Sequence, residues 1–289
     1  MRLRIDTNPK LDTIEFSTRS KKHVESPSPR SVIKQRGLEF EKFRQYQPNE
    51  DASLIDWRAS ARAGETLVRV YSEDIALNIL IVIDVSESMI YGTSKKAKIE
   101  YAVELAINIA YGATSYGDRV GAVIFNETIL DAVKFDTGTN HFSEIAARIS
   151  DTRRYGGRVN LEHVLGNIVE MFKDTHLMII ISDFLGFGDK LYEDLYMIID
   201  KFDILAIMVN DKSDIHLDSH FYMFVSDPYS DKKDFAIPNM KEYTIANKER
   251  INNLDNFFES TENELWFLYT TDPIEKILDL NEKRNAIQK

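Results

Sequence analysis

The segment from Ala76 to Ser88 constrains the fold more than any other, because a nearly unbroken apolar run ends there in polar residues. The run Ala-Leu-Asn-Ile-Leu-Ile-Val-Ile precedes Asp84, and Ser86 and Ser88 follow at alternate positions. Apolar residues without alternation are typical of a strand buried on both faces of a parallel sheet. Carboxylate and hydroxyl oxygens suit a hard cation such as Mg²⁺ or Mn²⁺. The segment therefore predicts an α/β fold with a metal site at the carboxyl edge of its sheet.

Further apolar runs alternate with amphipathic segments along the rest of the chain. This alternation predicts a doubly wound α/β fold, in which helices cover both faces of a mainly parallel sheet. Right-handed crossovers place the strand ends on one edge, so we expect Asp183 to lie beside Asp84. The predicted strands span residues 76–85, 119–125, 130–135, 176–182, 203–209 and 265–269. The predicted helices span 95–115, 142–149, 161–172, 191–202 and 248–260, and a last helix is expected to begin with Asp272 as its cap and Pro273 as its first residue.

Composition along the chain suggests three regions. Residues 1–72 are predicted to form a small N-terminal region packed on the core, 73–210 the α/β domain, and 211–289 an extension that completes the sheet and the helices. The first 30 residues are mostly polar and end in a Ser-Pro-Ser-Pro run. Such a run favours a loop, so we expect these residues to contribute little to the core.

Composition also argues against several classes of protein. The formal net charge of -11 argues against a nucleic-acid-binding protein, which needs a basic face. No stretch approaches the roughly 20 apolar residues that span a bilayer, and the N-terminus does not read as a secretory signal. The chain has no cysteine, which excludes thiolate ligands and cysteine nucleophiles and is compatible with a reducing compartment. We therefore expect a cytoplasmic protein without a membrane span.

Motifs for nucleotide binding and for nucleophilic catalysis are missing from the sequence. It contains no Gly-x-Gly-x-x-Gly after a strand, no phosphate loop that ends in Gly-Lys-Ser/Thr, and no Gly-x-Ser-x-Gly elbow. A phosphohydrolase that uses Asp84 is the best enzyme alternative. Such a site needs a second carboxylate two residues on, where Ser86 stands. We therefore predict a binding protein rather than an enzyme.

Two sets of motifs resemble known families. Asp-x-Ser-x-Ser at 84–88, Gly-Gly at 156–157 and Ser-Asp at 182–183 resemble the metal-ion-dependent adhesion site of von Willebrand factor A domains. The runs Arg-Gly-Leu-Glu-Phe at 36–40, Ile-Asp-Trp-Arg-Ala-Ser-Ala-Arg at 55–62 and Tyr-Gly-Asp-Arg-Val-Gly at 116–121 resemble the bacterial and archaeal family catalogued as domain of unknown function 58 (DUF58). The second resemblance extends from about residue 31 to the C-terminus.

These resemblances imply a fold, a ligand set and a partner. The fold is a von Willebrand factor A-like, Rossmann-type sheet, and the implied metal ligands are Asp84, Ser86, Ser88 and Asp183. A partner protein supplies an acidic residue as the last ligand. The resemblance to DUF58 implies that this partner is a MoxR-type AAA+ ATPase, or its client, in the assembly or remodelling of other proteins.

One position departs from the A-domain pattern. The Gly-Gly loop of those domains usually supplies a threonine hydroxyl to the metal, but this chain has Val159 there, which carries no side-chain oxygen. Losing even a supporting group lowers metal affinity about 10- to 100-fold, so metal binding is expected to be weak or absent. Asn160 replaces the missing ligand if the loop shifts by one residue. A metal-dependent phosphohydrolase and a metal-free interaction protein with a degenerate site remain as alternatives.

Overall fold

A computed structural model of the chain describes residues 3–18, 38–47, 51–73, 76–185, 190–215, 223–226, 233–236 and 240–288. The chain divides into two compact units, Met1–Arg19 with Leu77–Lys289, and Ser20–Ala76. The smaller unit contains an antiparallel pair, β1 (Leu38–Gln45) and β2 (Leu67–Glu73), and helix α1 (Trp57–Ala63). Asp56 caps α1, because its carboxylate accepts hydrogen bonds from the backbone N–H groups of Arg58 and Ala59.

The larger unit is built on a six-stranded sheet with the order β10-β7-β6-β3-β4-β5. Neighbouring strands are parallel, except that β5 runs antiparallel to β4 at one edge. The strands of this sheet are β3 (Asn78–Asp84), β4 (Arg119–Phe125), β5 (Ile129–Asp136), β6 (Leu177–Ser182), β7 (Asp203–Asn210) and β10 (Glu264–Tyr269). Two short strands, β8 (Met223–Ser226) and β9 (Lys233–Ala236), pair with each other.

Helices cover both faces of the sheet, which confirms the predicted doubly wound α/β class. Ile79, Ile81 and Ile83 face one apolar core, while Leu80 and Val82 face the other. Helices α2 (Lys98–Tyr116), α3 (Thr139–Ile149) and α8 (Lys276–Gln288) contribute to the first core. Helices α4 (Leu161–Met171), α5 (Leu191–Ile199) and α7 (Met240–Ser260) contribute to the second, and α6 (Lys212–Ile215) is a single turn.

Four helices begin elsewhere than predicted. Helix α2 begins at Lys98 and not at 95, and helix α3 begins at Thr139 and not at 142. Helix α7 begins at Met240, eight residues before the predicted start at 248. Helix α8 begins at Lys276 and not at Pro273. The carboxylate of Asp272 accepts a hydrogen bond from the Tyr269 N–H at 2.9 Å and pairs with Lys276 at 2.7 Å. Asp272 therefore closes the turn between β10 and α8 instead of capping a helix at Pro273.

The expectation that the first 30 residues add little to the core is wrong for residues 3–18. Leu11, Ile14 and Phe16 are 2–3% exposed and belong to the first apolar core. This extended segment lies along α2, whose buried polar residues are spaced four apart at Glu100, Glu104 and Asn108. Because residues four apart share one face of a helix, these side chains form a row of acceptors for backbone N–H groups. The donors are the N–H groups of Arg4, Asp6, Lys10 and Leu11.

The row of acceptors on α2 continues to Gly112. Its carbonyl accepts a hydrogen bond from the Ile14 N–H at 3.1 Å. A Cβ atom at position 112 would lie 2.6 Å from Cγ1 of Ile14, so only glycine leaves room for that side chain. The spacing of four along α2 thus explains how a polar terminal segment becomes part of the core.

Candidate functional site

The centre of the sheet contains a topological switch point. The chain leaves β3 through α2 toward β4 on one side, and leaves the adjacent β6 through α5 toward β7 on the other. In open α/β sheets, ligands bind where such connections diverge, at the carboxyl ends of the strands. Strand β3 ends in Asp84, and Asp183 directly follows β6. The two predicted carboxylates therefore both lie at the switch point.

Four of the five predicted site residues form one hydrogen-bonded group, which we call the rim cluster: Asp84, Ser86, Ser88 and Asp183. Oδ1 of Asp84 accepts a hydrogen bond from the Ser86 N–H at 2.9 Å. The hydroxyl oxygens of Ser86 and Ser88 are 3.2 Å apart, and the Ser88 hydroxyl donates to Oδ1 of Asp183 at 3.2 Å. The loop after β3 thus places two hydroxyls between two carboxylates.

Asp84 is sealed inside this arrangement. Its side chain is 0% exposed, and its second oxygen accepts a hydrogen bond from the Ser182 hydroxyl at 2.7 Å. Burial and the neighbouring charge of Asp183 raise the pKa of Asp84 to about 7, although the hydrogen bonds from Ser182 and Ser86 act in the opposite direction. The carboxyl group of Asp84 therefore keeps its proton to a higher pH than a solvent-exposed aspartic acid does.

The fifth predicted residue, Asn160, caps α4 in the structure. Its side-chain oxygen accepts a hydrogen bond from the His163 N–H at 3.2 Å. Val159 packs against the second apolar core. The glycine loop does reach the site, because the Glu87 N–H donates to the carbonyl of Gly157 at 2.8 Å. The role of Asn160 as a metal ligand stays a prediction, while its oxygen serves the helix cap.

A buried amine that the sequence interpretation missed lies beside the rim cluster. Lys98, the first residue of α2, is 1% exposed, and its Nζ lies 2.8 Å from Oδ2 of Asp183 and 3.2 Å from Oδ2 of Asp214. Burial alone would lower the pKa of Lys98, but the two carboxylates outweigh it and hold that pKa above its usual value. A permanent positive charge therefore neutralises part of the site.

The missed residues carried sequence signals of different strength. Asp211 follows the apolar strand β7 just as Asp84 ends β3, so the same reasoning would have found it. Its carboxylate accepts hydrogen bonds from the N–H groups of Thr93 and Ser94 at 3.0 and 3.2 Å. Lys98 had only a weak signal, a lysine at the start of an apolar helix.

The donors of the rim cluster fit an oxygen-seeking cation. Two hydroxyls and two carboxylates meet within hydrogen-bonding distance, and hard oxygen ligands are those that Mg²⁺ and Mn²⁺ take. In the part of the chain that the structure describes, no three His, Cys, Asp or Glu side chains are placed to hold a metal. Any cation here would therefore depend on the serines, and Lys98 would compete with it for Asp183.

The fold and the rim cluster together define a doubly wound α/β protein with an oxygen-rich group at its switch point. The model of the family described as protein of unknown function DUF58 matches residues 42–246, which is more than half of the chain. The chain belongs to this family. The resemblance stated from the motifs at 55–62 and 116–121 is thereby confirmed.

Parts of this chain are also similar to other proteins and to solved structures. Uncharacterized proteins of Mycobacterium tuberculosis and Mycobacterium bovis are 31% identical over 183 residues, which is 63% of this chain and 57% of theirs. The match thus spans little more than half of the length of these relatives. The conserved hypothetical protein BatB from Bacteroides thetaiotaomicron has a similar structure, with 11% identity, a TM-score of 0.47 and coverage of 74% of this chain and 98% of that one.

A von Willebrand factor type A protein from Catenulispora acidiphila is also similar in structure. It has 13% identity and a TM-score of 0.41, and the match covers 75% of this chain and 43% of that one. Within the described ranges, no helix has both the length and the apolar character needed to cross a membrane.

Proposed function

We propose that this chain is a non-enzymatic protein-binding module whose contact site is the rim cluster. The observation that carries the proposal is the convergence of Asp84, Ser86, Ser88 and Asp183 at the switch point of the sheet. Oxygen donors gathered at the carboxyl ends of parallel strands are placed to meet a ligand from outside. The proposed ligand is an acidic side chain of another protein.

In this proposal the rim cluster holds Mg²⁺ or Mn²⁺ through the hydroxyls of Ser86 and Ser88 and the two carboxylates. The cation supplies a positive charge that attracts the carboxylate of a partner. Nζ of Lys98 lies 2.8 Å from Oδ2 of Asp183 and neutralises part of its charge. Val159 has no side-chain oxygen that could serve as a further ligand. Both features favour weak metal binding.

The phosphohydrolase alternative needs Asp84 as an accessible nucleophile. Asp84 is instead 0% exposed, and each of its oxygens accepts a hydrogen bond. A carboxylate held in this way would have to break both bonds before it attacks phosphorus. This geometry favours a binding role over catalysis.

The proposed partner is a MoxR-type AAA+ ATPase or one of its clients, in a cytoplasmic assembly or remodelling system. The support for this partner is the membership of the chain in DUF58. The match covers 57% of the length of the mycobacterial relatives. Any activity of a whole protein of that length is therefore part of the proposal as well.

A metal titration tests the site. Isothermal titration with Mn²⁺ and Mg²⁺ should give binding to the wild type and none to Asp84→Asn, which removes the charge and keeps the shape. Ser88→Ala should weaken binding about 10-fold or more. The control is Ser143→Ala, because that exposed serine only donates to the Thr139 carbonyl on α3. Equal isotherms for the wild type and Asp84→Asn would remove the metal from the proposal.

A capture experiment tests the partner. The tagged chain should retain a MoxR-type ATPase expressed with it, and the Ser88→Ala variant should retain less than the Ser143→Ala control. Sustained turnover of a phosphate ester that needs Mg²⁺ and is lost in Asp84→Asn would instead favour the phosphohydrolase. Failure to retain the ATPase under any condition would discard this partner.

A second candidate function is metal-free binding, which the buried charge of Lys98 favours. Lys98 already supplies a cation between Asp183 and Asp214. Under this alternative, a chelator such as EDTA leaves partner capture unchanged. Capture that falls with EDTA and returns with Mg²⁺ would decide for the metal-dependent form.

A further inference from the structure

A cleft of about 940 Å³ opens in the larger unit, on the β7 and β10 side of the sheet. Its walls come from the loop at 93–96 before α2 and the turn at 270–275 after β10, together with Lys10, Tyr101 and Lys212. No residue of the rim cluster lines this cleft. It is therefore a separate site from the one proposed above.

Four lysines line the cleft, although the chain as a whole has a net charge of -11: Lys10, Lys95, Lys96 and Lys212. Lys95 and Lys212 are exposed and have no ion pair with any residue that the structure describes. The carboxylate of Asp272 on the opposite wall is paired with Lys276 at 2.7 Å. Lys96 pairs with Glu104, Lys10 lies 3.9 Å from a carboxylate oxygen of Asp6, and Glu275 adds one negative charge to the lining. Lys95 and Lys212 therefore remain as two positive charges that no ion pair within the described residues neutralises.

A second, independent feature is the hydroxyl of Tyr101. The residue is 1% exposed and lines the cleft, yet its hydroxyl has no hydrogen-bond partner among the described residues. Burial and the nearby charges of Asp272, Glu104 and Glu275 raise the pKa of Tyr101 well above its usual value, so the hydroxyl keeps its proton. A buried donor without an acceptor is destabilising, and a bound ligand would supply the acceptor.

From these features we infer that the cleft binds a small phosphorylated molecule. Lysine binds phosphate as a point charge, and the hydroxyl of Thr271 adds an uncharged donor on the wall formed by the turn at 270–275. Pockets for small molecules occupy about 300–1,000 Å³, so this cleft has room for a nucleotide and not only for a phosphate ion. The lysines hold the phosphate groups, and the Tyr101 hydroxyl donates to one of their oxygens.

A charge-reversal pair tests the lysines. Isothermal titration with pyrophosphate and with ADP should show binding to the wild type. The Lys95→Glu/Lys212→Glu variant should lose at least about 100-fold in affinity, since each lost charge-assisted bond is worth about 10-fold. The control is Lys173→Glu/Lys201→Glu. Both of these exposed lysines precede strands and therefore lie at the amino ends of the strands, away from the cleft.

The Tyr101→Phe variant tests the hydroxyl and separates binding from structure. It should bind pyrophosphate or ADP about 10-fold more weakly, while the unliganded protein unfolds at the same temperature as the wild type or higher, because a buried donor without a partner is gone. No binding of either probe by the wild type overturns the inference. Equal loss in the two charge-reversal variants, or unchanged affinity in Tyr101→Phe together with lower stability, overturns it as well.

Discussion

Lys98 and Arg284 are two buried cations that lie at opposite ends of the strands of the same sheet. Arg284 is 1% exposed and pairs at 2.9 Å with Asp203 and with Glu264, the first residues of β7 and β10. Lys98 is equally buried and pairs with Asp183 and Asp214 beyond the carboxyl ends of the strands. The two cations are alike in burial and in the number of carboxylates they pair with, although Glu264 is 23% exposed.

The difference lies in what surrounds the carboxylates. At the amino edge, Arg284 also donates to the carbonyl of Ser17, so the guanidinium ties the N-terminal segment to two strands. At the carboxyl edge, Asp183 also accepts from the Ser88 hydroxyl and so joins the rim cluster. A buried ion pair therefore does not by itself mark a functional site. The adjacent hydroxyls at the switch point distinguish the candidate site from a structural pair.

The largest expected loss of stability is that of the Arg284→Met variant. Removing one partner from a buried ion pair leaves uncompensated charge, which costs about 3–5 kcal/mol of unfolding free energy. Denaturation in urea measures this loss. Millimolar Mg²⁺ should not restore the stability, because no hydroxyl of the described residues hydrogen-bonds to Asp203 or Glu264. Recovery with Mg²⁺ would show that the carboxylates at both ends of the strands respond alike to a divalent cation.

Lys98→Met should lower the unfolding free energy by about 3 kcal/mol when divalent cations are absent. Burial raises the pKa of Asp214, so this carboxyl group can take up a proton, which reduces the loss of unfolding free energy. Because the variant frees Asp183, Mg²⁺ or Mn²⁺ should stabilise it more than the wild type. Thermal unfolding with and without the cation measures the difference. An equal response of both proteins would show that Lys98 does not compete with a metal.

Asp118 lies just before β4, again at the amino ends of the strands, and its carboxylate has no ion pair with any described residue. Burial raises the pKa of Asp118 to about 6, although its carboxylate accepts a hydrogen bond from the Leu77 N–H at 2.8 Å. The folded state therefore binds this proton more tightly than the unfolded state, so the contribution to stability is present at low pH and is lost as the pH rises from about 4 to about 6. Asp118→Asn removes this dependence.

The difference in stability between Asp118→Asn and the wild type should therefore change across that interval by about 2 kcal/mol or less and stay flat above it. Urea denaturation at several pH values between 4 and 8 measures it. A difference that keeps changing above pH 7 would point to another group.

The smallest expected effect is that of Gly112→Ala. The new Cβ would meet Ile14 at 2.6 Å, and this overpacking costs about 1–3 kcal/mol, while alanine in a helix interior returns about 1 kcal/mol. The net loss should be about 1 kcal/mol, without any change in the response to Mg²⁺. The matched control is Gly166→Ala in α4, where nothing lies within 4 Å of the added atom, and this variant should gain stability.

Most of the fold could be predicted from periodicity. Continuous apolar runs predicted strands such as 119–125 with both ends correct. A strand buried on both faces leaves no polar position inside it, so its limits are visible in the sequence. Helix starts were less predictable. The pair Asp272 and Pro273 suits a helix start, but the carboxylate of Asp272 accepts from Tyr269 and Lys276 instead. The start of α8 was thus set by a turn between elements.

Part of the candidate site could also be predicted. Asp84, Ser86, Ser88 and Asp183 share one short-range signal, namely that polar residues follow a buried strand, and the sheet brings them together. Asn160 carries no such signal, and its oxygen accepts from the N–H of His163 at the start of α4.

Local patterns of apolar and polar residues are enough to predict the doubly wound class and the carboxylates at the strand ends. Tertiary packing buries Lys98 against Asp183 and Asp214. It also leaves the Tyr101 hydroxyl without a partner among the described residues, in a cleft that four lysines line as well. The pairs in question are 85 and 116 residues apart in the chain. Charges so distant in sequence meet only when strands and helices pack, so no local pattern reports whether a charge is buried or which partner it has.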